Sequence, residues 1–351
     1  MAVNEDKLMG YVHQAVGDFG SILSGALINI GDKLGLFKAM AKNGPMTSEE
    51  LAKRTGTTER YIREWASALA AAGYVDYLGN GRYTLNEEQS VVLVDETSPA
   101  YVIGGFQGML AATRILPKAV EAFRTGDGIG WHEHDPDLFQ GTERFFRPGY
   151  GANLVQSWIP ALEGADDKLR AGAKVGDVGC GYGASTIIMA AAYPNSQFWG
   201  FDYHEPSIRH AHDAAVAAGV SDRVKFEVAS AKEYPGTDFD MVCHFDCLHD
   251  MGDPVGAARY TRQSLKSDGH WLLVEPFAND DLAENLNPIG RVFYSASTLI
   301  CTPASLSQEV GAGLGAQAGE ARLREVAKEA GFSSFRRATE TPFNLVLEGR
   351  P

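Results

Sequence analysis

Short apolar segments alternate with helix-forming segments along the second half of the chain, from Lys174 onwards. This alternation is typical of a mostly parallel β-sheet whose two faces are covered by helices. The candidate strands are residues 174–178, 197–201, 224–228, 240–245 and 270–274, followed near the C-terminus by 334–337 and 344–348. The pattern predicts an α/β fold with a seven-stranded, mostly parallel, doubly wound sheet.

The first candidate strand ends in the glycine-rich sequence DVGCGYG, residues 177–183. Its three glycines allow a ligand to approach the backbone closely, and the helix that follows presents its amino end. Asp202 directly follows the second candidate strand, where a carboxylate can accept hydrogen bonds from ribose hydroxyls. Read as Gly179, Gly181 and Ala184, the same motif also fits a dinucleotide-binding fingerprint. These residues alone leave both cofactor classes open.

A different pattern precedes the sheet. Thr47 and Glu50 form a capping-box signature for a short helix. A second helix is expected to carry four side chains near one face, namely Tyr61, Trp65, Leu69 and Ala72. Two short strands then flank Asn80-Gly81, a pair that favours a tight hairpin turn. Helix, turn, helix and hairpin together predict an α-helical winged-helix domain.

The charge balance disfavours nucleic acid as a partner without excluding it. The whole chain has a net charge of −14, and residues 1–95 hold nine Lys and Arg against twelve Asp and Glu. A domain that binds the phosphate backbone is usually basic. We therefore expect the winged helix to dimerise the chain or to cover its active site, and a homodimer is predicted.

The sequence predicts a cytoplasmic protein without a membrane span. It contains no run of about 18 apolar residues, and its first residues lack the pattern of a signal peptide. Four cysteines are scattered without a CxxC pair, which indicates reduced thiols. His132 and His134 lack a third ligand at metal-site spacing, so no metal centre is predicted.

Three functional segments are predicted on this basis. Residues 1–95 would form the winged-helix or dimerisation domain, residues 96–170 a helical connector that covers the active site, and residues 171–351 the cofactor-binding domain. Residues 302–323 are rich in small side chains, which is typical of a mobile loop over an active site.

The motifs resemble those of class I methyltransferases. Asp177 precedes the first glycine by two residues, as in the family motif E/D-x-G-x-G-x-G, and residues 239–254, FDMVCHFDCLHDMGDP, resemble the fourth strand and the loop after it. The two C-terminal strands resemble the closing hairpin of that family. The order of domains is similar to that of small-molecule O-methyltransferases, and above all to bacterial winged-helix methyltransferases of uncertain substrate.

The resemblance implies S-adenosylmethionine as the cofactor. The family pattern places cofactor-binding residues at Asp177, Gly179, Cys180, Gly181, Gly183, Asp202, Tyr203, Ser230, Ala231 and Phe245. Ser230 and Ala231 stand where many relatives carry an acid that binds the adenine amino group. A serine hydroxyl or backbone groups would then replace that acid.

The resemblance also implies the catalytic and substrate residues. His249 matches the catalytic base of plant-type O-methyltransferases, with Glu275 placed to orient it, although the sequence fits a purely structural His249 equally well. Substrate contacts are expected from Phe146, Tyr150, Phe293, Tyr294 and Ser297, which would suit a small, largely apolar or aromatic acceptor.

The sequence therefore leaves two main functional classes open. The first is a methyltransferase that modifies a small molecule, most simply at oxygen. The second is a cofactor-binding transcriptional regulator whose winged helix contacts DNA. A nicotinamide oxidoreductase is a weaker third reading, because the position of Asp177 and the C-terminal strands fit it poorly.

Overall fold

The structure, a computed structural model, describes residues 3–351 of the chain. The chain separates into two compact units, Met1–Leu110 and Ala111–Pro351, and each unit has its own hydrophobic core. The boundary between the compact units, after residue 110, differs from the predicted domain boundaries after residues 95 and 170, and the predicted division into domains stays a prediction.

The first unit is mainly helical. Its helices are α1 (Glu5–Lys33), α2 (Leu36–Asn43), α3 (Ser48–Thr55), α4 (Glu59–Ala71), α5 (Glu87–Leu93) and α6 (Ile103–Thr113), the last of which runs into the second unit. Three short strands form one antiparallel sheet in the order β1-β3-β2: β1 (Met46–Thr47), β2 (Asp76–Tyr77) and β3 (Arg82–Thr84).

Local sequence signals explain the winged-helix part of this unit. Thr47 and Glu50 form the expected capping box at the start of α3. The Trp65 side chain of α4 is buried, and its indole nitrogen donates a hydrogen bond of 2.9 Å to the carbonyl of Leu27 in α1. Strands β2 and β3 form the hairpin that the Asn80-Gly81 pair predicts. The predicted winged-helix arrangement is confirmed.

The second unit is built on a seven-stranded sheet in the order β6-β5-β4-β7-β8-β10-β9. Its strands are β4 (Lys174–Val178), β5 (Gln197–Asp202), β6 (Val224–Val228), β7 (Phe239–Phe245), β8 (Leu265–Pro276), β9 (Ser334–Glu340) and β10 (Asn344–Arg350). Strands β4 to β8 pair in parallel, whereas β10 is antiparallel to both of its neighbours. The predicted fold class is confirmed.

Helices cover the sheet and connect its strands. The helices of the second unit are α7 (Leu116–Thr125), α8 (Pro136–Asn153), α9 (Ala165–Ala171), α10 (Ala184–Ala192), α11 (Glu205–Ala217), α12 (Pro254–Ser264), α13 (Pro288–Ala296), α14 (Thr302–Leu306) and α15 (Gly319–Ala330). The central strands are nearly continuous apolar runs because both of their faces are covered, as Val175 and Val242 illustrate with 0% exposure. Across residues 3–351, no helix combines the length and apolar character needed to cross a membrane.

Candidate active site

A cavity of about 400 Å³ lies at the carboxyl ends of parallel strands in the second unit. Ligands of open α/β sheets bind at this edge, next to the strand where the order reverses, which here is β4. The volume falls within the range of roughly 300–1,000 Å³ that holds small organic ligands. We call two parts of its wall the glycine-loop side (residues 179–182, 202–203 and 229–232) and the aromatic side (Phe146, Tyr150, Phe245 and Asp246).

The three glycines of the loop after β4 have different functions. Gly181 has φ +52°, and a Cβ placed there would meet no atom within 4 Å, so this position is open. Gly183, with φ +79°, precedes α10, and its Cβ would lie 2.6 Å from the Phe226 ring. A Cβ at Gly179 would lie 2.7 Å from the sulfur of Cys247. Gly183 and Gly179 thus allow close packing, whereas Gly181 leaves room for a ligand.

Asp202, at the end of β5, is held by backbone amides. Its Oδ2 accepts from the amide of Gly181 and its Oδ1 from the amide of His204, each at 2.9 Å. Burial raises the pKa of Asp202, and these backbone hydrogen bonds oppose that shift. Each oxygen keeps a lone pair for a further donor, so the carboxylate is able to accept hydrogen bonds from a pair of neighbouring hydroxyls.

Asp177 lies beneath the loop and does not line the cavity. Its Oδ2 accepts hydrogen bonds of 2.6 Å from the hydroxyls of Ser185 and Thr186 in α10. Burial raises the pKa of Asp177 to about 6, against the effect of these hydroxyls. Its Oδ1 is buried without a hydrogen-bond partner. The carboxyl group therefore fixes the start of α10 and keeps one acceptor oxygen unused.

Residues after β6 form the far end of the glycine-loop side. The Ser230 hydroxyl accepts a hydrogen bond of 3.2 Å from the amide of Lys232 and so stabilises a tight turn. Lys232 lies 3.3 Å from the carboxylates of both Asp253 and Glu309. Ala231 also lines the cavity. This end of the cavity therefore offers mainly backbone groups and small side chains to a ligand.

The aromatic side combines α8 with the end of β7. Tyr150 stacks against Phe146 with 5.8 Å between ring centroids and packs against Phe245 at 5.4 Å. Its hydroxyl donates a hydrogen bond of 2.9 Å to Oδ2 of Asp246, whose Oδ1 accepts from the amide nitrogen of Asn344 at 3.0 Å. The aromatic side is therefore apolar except for the Tyr150 hydroxyl and the Asp246 carboxyl group.

His249 and Glu275 form a buried ion pair beside the cavity. The Nδ1 of His249 contacts Oε2 of Glu275, and Oε1 of Glu275 accepts from the amide of Leu248 at 3.0 Å. Burial alone would lower the pKa of His249, but the carboxylates of Glu275 and then Asp250 hold it well above its ordinary value. The His249 ring does not line the cavity.

His249, Asp250 and Cys301 carry the one group of potential metal ligands found among residues 3–351, with ligand atoms within 4.8 Å of one another. The Nε2 of His249 is already 3.2 Å from Oδ1 of Asp250, and the Cys301 side chain lies beside the same pair. Because both ring nitrogens of His249 already face the carboxylates of Glu275 and Asp250, we assign no ion to this group.

The structure brings most of the predicted site residues to the cavity. Those that line it are Phe146, Tyr150, Gly179, Cys180, Gly181, Asp202, Tyr203, Ser230, Ala231 and Phe245. Those that lie outside its lining are Asp177, Gly183, His249, Glu275, Phe293, Tyr294 and Ser297.

The last three of these residues lie on or just after α13. Phe293 is buried, and the Ser297 hydroxyl accepts a hydrogen bond of 3.0 Å from the amide of Ala316. Phe293 and Ser297 are buried in the body of the unit, whereas Tyr294 is half-buried. Their expected contact with a substrate finds no support in this geometry and stays a prediction.

Sequence reasoning overlooked several residues that line the cavity. Asp246 directly follows β7, and Trp131 and Phe139 belong to the segment before and within α8. The position of Asp246 at the carboxyl end of a parallel strand was a usable signal, since such ends meet at the ligand-binding edge. The two aromatic residues gave no periodic signal, and their segment was predicted only in general terms as a loop over the active site.

The winged helix offers no free cationic face on α4. Arg60 pairs with Glu64 at 2.6 Å, and Arg63 pairs with Glu59 at 2.8 Å, so both arginines are matched by acids of their own helix. Phosphate contacts need excess positive charge. The DNA-binding alternative is not favoured.

Comparison with protein families identifies both parts of the chain. Residues 23–95 match the family described as the Rv2258c-like winged HTH domain, and residues 169–330 match a family described as a methyltransferase domain. Two curated relatives were compared. The 27-O-demethylrifamycin SV methyltransferase of Amycolatopsis mediterranei (strain S699) is 36% identical over 131 residues, 35% of this chain and 48% of that protein. The mitomycin biosynthesis 6-O-methyltransferase of Streptomyces lavendulae is 25% identical over 270 residues, 72% of this chain and 75% of that protein.

A solved structure shows the same fold over nearly the whole length. Human N-acetylserotonin methyltransferase in complex with SAM superimposes with a TM-score of 0.71 at 16% identity, covering 97% of each chain. The alignment with the rifamycin-related enzyme, by contrast, spans about half of that relative.

Fold, site and family matches define a two-domain protein in which a winged helix-turn-helix domain precedes a methyltransferase domain. Its N-terminal domain is of the Rv2258c-like type. The resemblance to winged-helix methyltransferases is confirmed.

Proposed function

We propose that this protein transfers a methyl group from S-adenosylmethionine to an oxygen atom of a small, largely apolar or aromatic molecule. The observation that carries the proposal is the cavity itself, in which the Gly181 and Asp202 cradle faces the same space as the Phe146 and Tyr150 rings. The methyltransferase domain and the names of both curated relatives, which denote O-methylation, support it.

The residues present fit this cofactor. Gly181 leaves open space where any side chain would intrude, and Asp202 keeps lone pairs for the two ribose hydroxyls. The segment around Ser230 and Ala231 would hold the adenine through backbone groups. When bound, S-adenosylmethionine supplies a methyl group on a positively charged sulfur that leaves as a neutral thioether.

The aromatic side would bind and orient the acceptor. Phe146 and Tyr150 present parallel rings, 14° apart, on which a flat apolar molecule can pack. Holding the acceptor oxygen in line with the methyl group supplies most of the catalysis that such a displacement needs.

Calorimetry with S-adenosylmethionine, S-adenosylhomocysteine and NAD tests the proposal. We expect micromolar binding of both adenosyl-sulfur ligands and no binding of NAD. A screen of phenols and hydroxylated polycyclic compounds, read by mass spectrometry for the gain of one methyl group, then identifies the acceptor class. NAD binding in place of the sulfur ligands would overturn the proposal.

We further propose that the chain works as a homodimer assembled through α1. Large apolar side chains are exposed along this 29-residue helix. They are Leu8, Met9, Tyr11, Val12, Val16, Phe19, Ile22, Leu23 and Ile30. Exposed apolar surface of this extent is typical of an interface between subunits. Light scattering after gel filtration tests it, and a monomer at micromolar concentration would contradict it.

A cytoplasmic setting is proposed as well. All four cysteines, Cys180, Cys243, Cys247 and Cys301, are free, as expected in a reducing compartment.

A further inference from the structure

Asp246 is the carboxyl group that faces the cavity from the aromatic side. It directly follows β7, and its backbone has φ +49°, a left-handed conformation that side-chain-bearing residues rarely adopt. Its amide donates a hydrogen bond of 2.8 Å to the carbonyl of Val274 in the neighbouring strand. The backbone is therefore held in an unfavourable conformation that fixes where this side chain lies.

The partners of Asp246 are neutral. Tyr150 donates to one carboxylate oxygen and Asn344 to the other, and neither carries a positive charge. Burial raises the pKa of the Tyr150 hydroxyl well above its ordinary value, with the charge of Asp246 adding to the shift, so this hydroxyl stays a donor. The carboxylate is thus oriented by two donors and keeps lone pairs for a third.

The surroundings of Asp246 raise the pKa of its carboxyl group towards neutral pH. Burial raises its pKa to about 7, and the carboxylate of Glu275 on β8 adds to the rise. The Tyr150 hydroxyl of α8 and the His249 ring oppose the shift, whereas Asp250 on the same loop as His249 supports it. Of the other adjacent groups, Asn344 of β10 is neutral and the pKa of the Cys247 thiol is raised by burial. A base of this strength matches the pH at which general bases work best.

The ring of His249 is less accessible to an acceptor than the carboxyl group of Asp246. Glu275 engages its Nδ1 and Asp250 lies 3.2 Å from its Nε2, so both ring nitrogens face carboxylates of the protein. The ring does not line the cavity, whereas Asp246 does. Of His249 and Asp246, only Asp246 lies where an acceptor in the cavity can contact it.

We propose that Asp246 contacts the nucleophilic group of the acceptor and takes its proton during methyl transfer, an inference that rests on the proposed methyltransferase function. The acceptor's O–H bond breaks, and its proton goes to a carboxylate oxygen of Asp246. An oxygen electron pair forms the new bond to the methyl carbon, and the pair of the broken sulfur–carbon bond stays on sulfur. Asp246 thus ends neutral, as does the sulfur. Tyr150 and Asn344 are positioning residues for this carboxylate.

Sinefungin tests the inference without a known acceptor, because it carries an ammonium group at the place of the transferred methyl. Its affinity is compared with that of S-adenosylhomocysteine by calorimetry, from about pH 5.5 to about pH 8.5 around the pKa of Asp246. We expect the preference for sinefungin to grow about tenfold as the carboxyl group ionises near pH 7. The Asp246→Asn variant should lose this growth while binding S-adenosylhomocysteine normally.

Two further variants complete the test. Asp222→Asn removes an equal charge from an exposed residue outside the cavity lining and should leave the preference and its pH dependence unchanged. Tyr150→Phe keeps the ring but removes the donor that lowers the pKa of Asp246, so the midpoint should move to higher pH. This second prediction stands even if Asp246→Asn does not fold.

The outcomes separate the two proposals. Failure of the wild-type protein to bind S-adenosylhomocysteine would overturn the proposed function. Normal binding with a sinefungin preference that does not change with pH, or that persists in Asp246→Asn, would overturn the role of Asp246 alone.

Discussion

The glycine-loop side and the aromatic side of the cavity are built in different ways. The first consists of residues that directly follow β4, β5 and β6, and its polar contacts are mostly to backbone amides. The second joins distant parts of the chain, because Tyr150 and Asp246 are 96 positions apart and Asp246 and Asn344 are 98 apart. A ligand-binding edge made of strand ends can therefore be general, whereas a wall made of distant side chains is particular to one protein.

Replacement of Asp202 should have the largest effect. In Asp202→Ala the glycine-loop side loses its only proposed ribose contact, which comprises two hydrogen bonds to a charged group worth about 1.5–3 kcal/mol each. We expect affinity for S-adenosylhomocysteine to fall at least about 100-fold by calorimetry. Asp222→Ala, at an exposed residue, is the control. Binding within a few-fold of wild type would contradict the cradle.

His249→Ala distinguishes the two roles of this residue. If the imidazole serves the structure, its loss leaves Glu275 buried and unpaired, and urea denaturation should show a loss of about 3 kcal/mol in the free energy of unfolding. Because the pKa of His249 is raised, the pair stabilises the fold at low pH and this contribution is lost only as the pH passes that raised value. The loss should therefore persist at neutral pH.

A matched Glu275→Gln variant and the double variant complete this experiment. If the two side chains act as a pair, the double variant should lose less than the sum of the single losses. Wild-type stability of His249→Ala, with turnover on an identified acceptor reduced about 100-fold, would instead make His249 the base.

Two glycine variants compare close packing with open space on the glycine-loop side. Gly183→Ala brings a Cβ within 2.6 Å of Phe226 and should lower the free energy of unfolding by about 2 kcal/mol. Gly181→Ala meets no atom and should cost only the backbone strain of about 1 kcal/mol, but it should weaken S-adenosylhomocysteine binding more than Gly183→Ala does. The reverse order in affinity would show that the open position of Gly181 does not receive the ligand, and the reverse order in stability would contradict the close packing at Gly183.

Ser230→Ala should have the smallest effect. Its hydroxyl accepts from the Lys232 amide, so we expect backbone groups to bind the adenine. The loss of this one exposed hydrogen bond should change S-adenosylhomocysteine affinity by no more than about threefold, or about 0.7 kcal/mol. A tenfold loss in calorimetry would instead assign the hydroxyl directly to the base.

The glycine-loop side could be predicted from local sequence patterns, whereas the aromatic side could not, because its residues come from distant parts of the chain. Asp202 and the glycines were predictable because each follows a strand at a fixed spacing. The contact of Tyr150 with Asp246 depends on how α8 packs against β7, and no local pattern records it.

The differences between the predicted and the observed secondary structure also arise where the local sequence carries no clear pattern. Strand β8 runs over Leu265–Pro276 rather than residues 270–274, because its first part is polar and lacks the apolar signal of a strand. Residues 302–323 were predicted as a mobile loop, yet they begin with helix α14, where the buried Ser305 donates a hydrogen bond of 2.8 Å to the carbonyl of Met251. Small residues give no helical periodicity, so burial there could not be predicted.

The contact between Gly179 and Cys247 limits how this site can diversify. The Cys247 thiol donates to the carbonyl of Val178 at 3.2 Å and occupies the space that a side chain at Gly179 would need. A larger side chain in the loop after β7 would therefore displace the backbone of the loop after β4. Libraries meant to alter the range of acceptors should keep Cys247 fixed and vary Phe146 and its neighbours on α8. A bulkier residue at position 247 would displace the loop that contains Gly179 and so weaken cofactor binding.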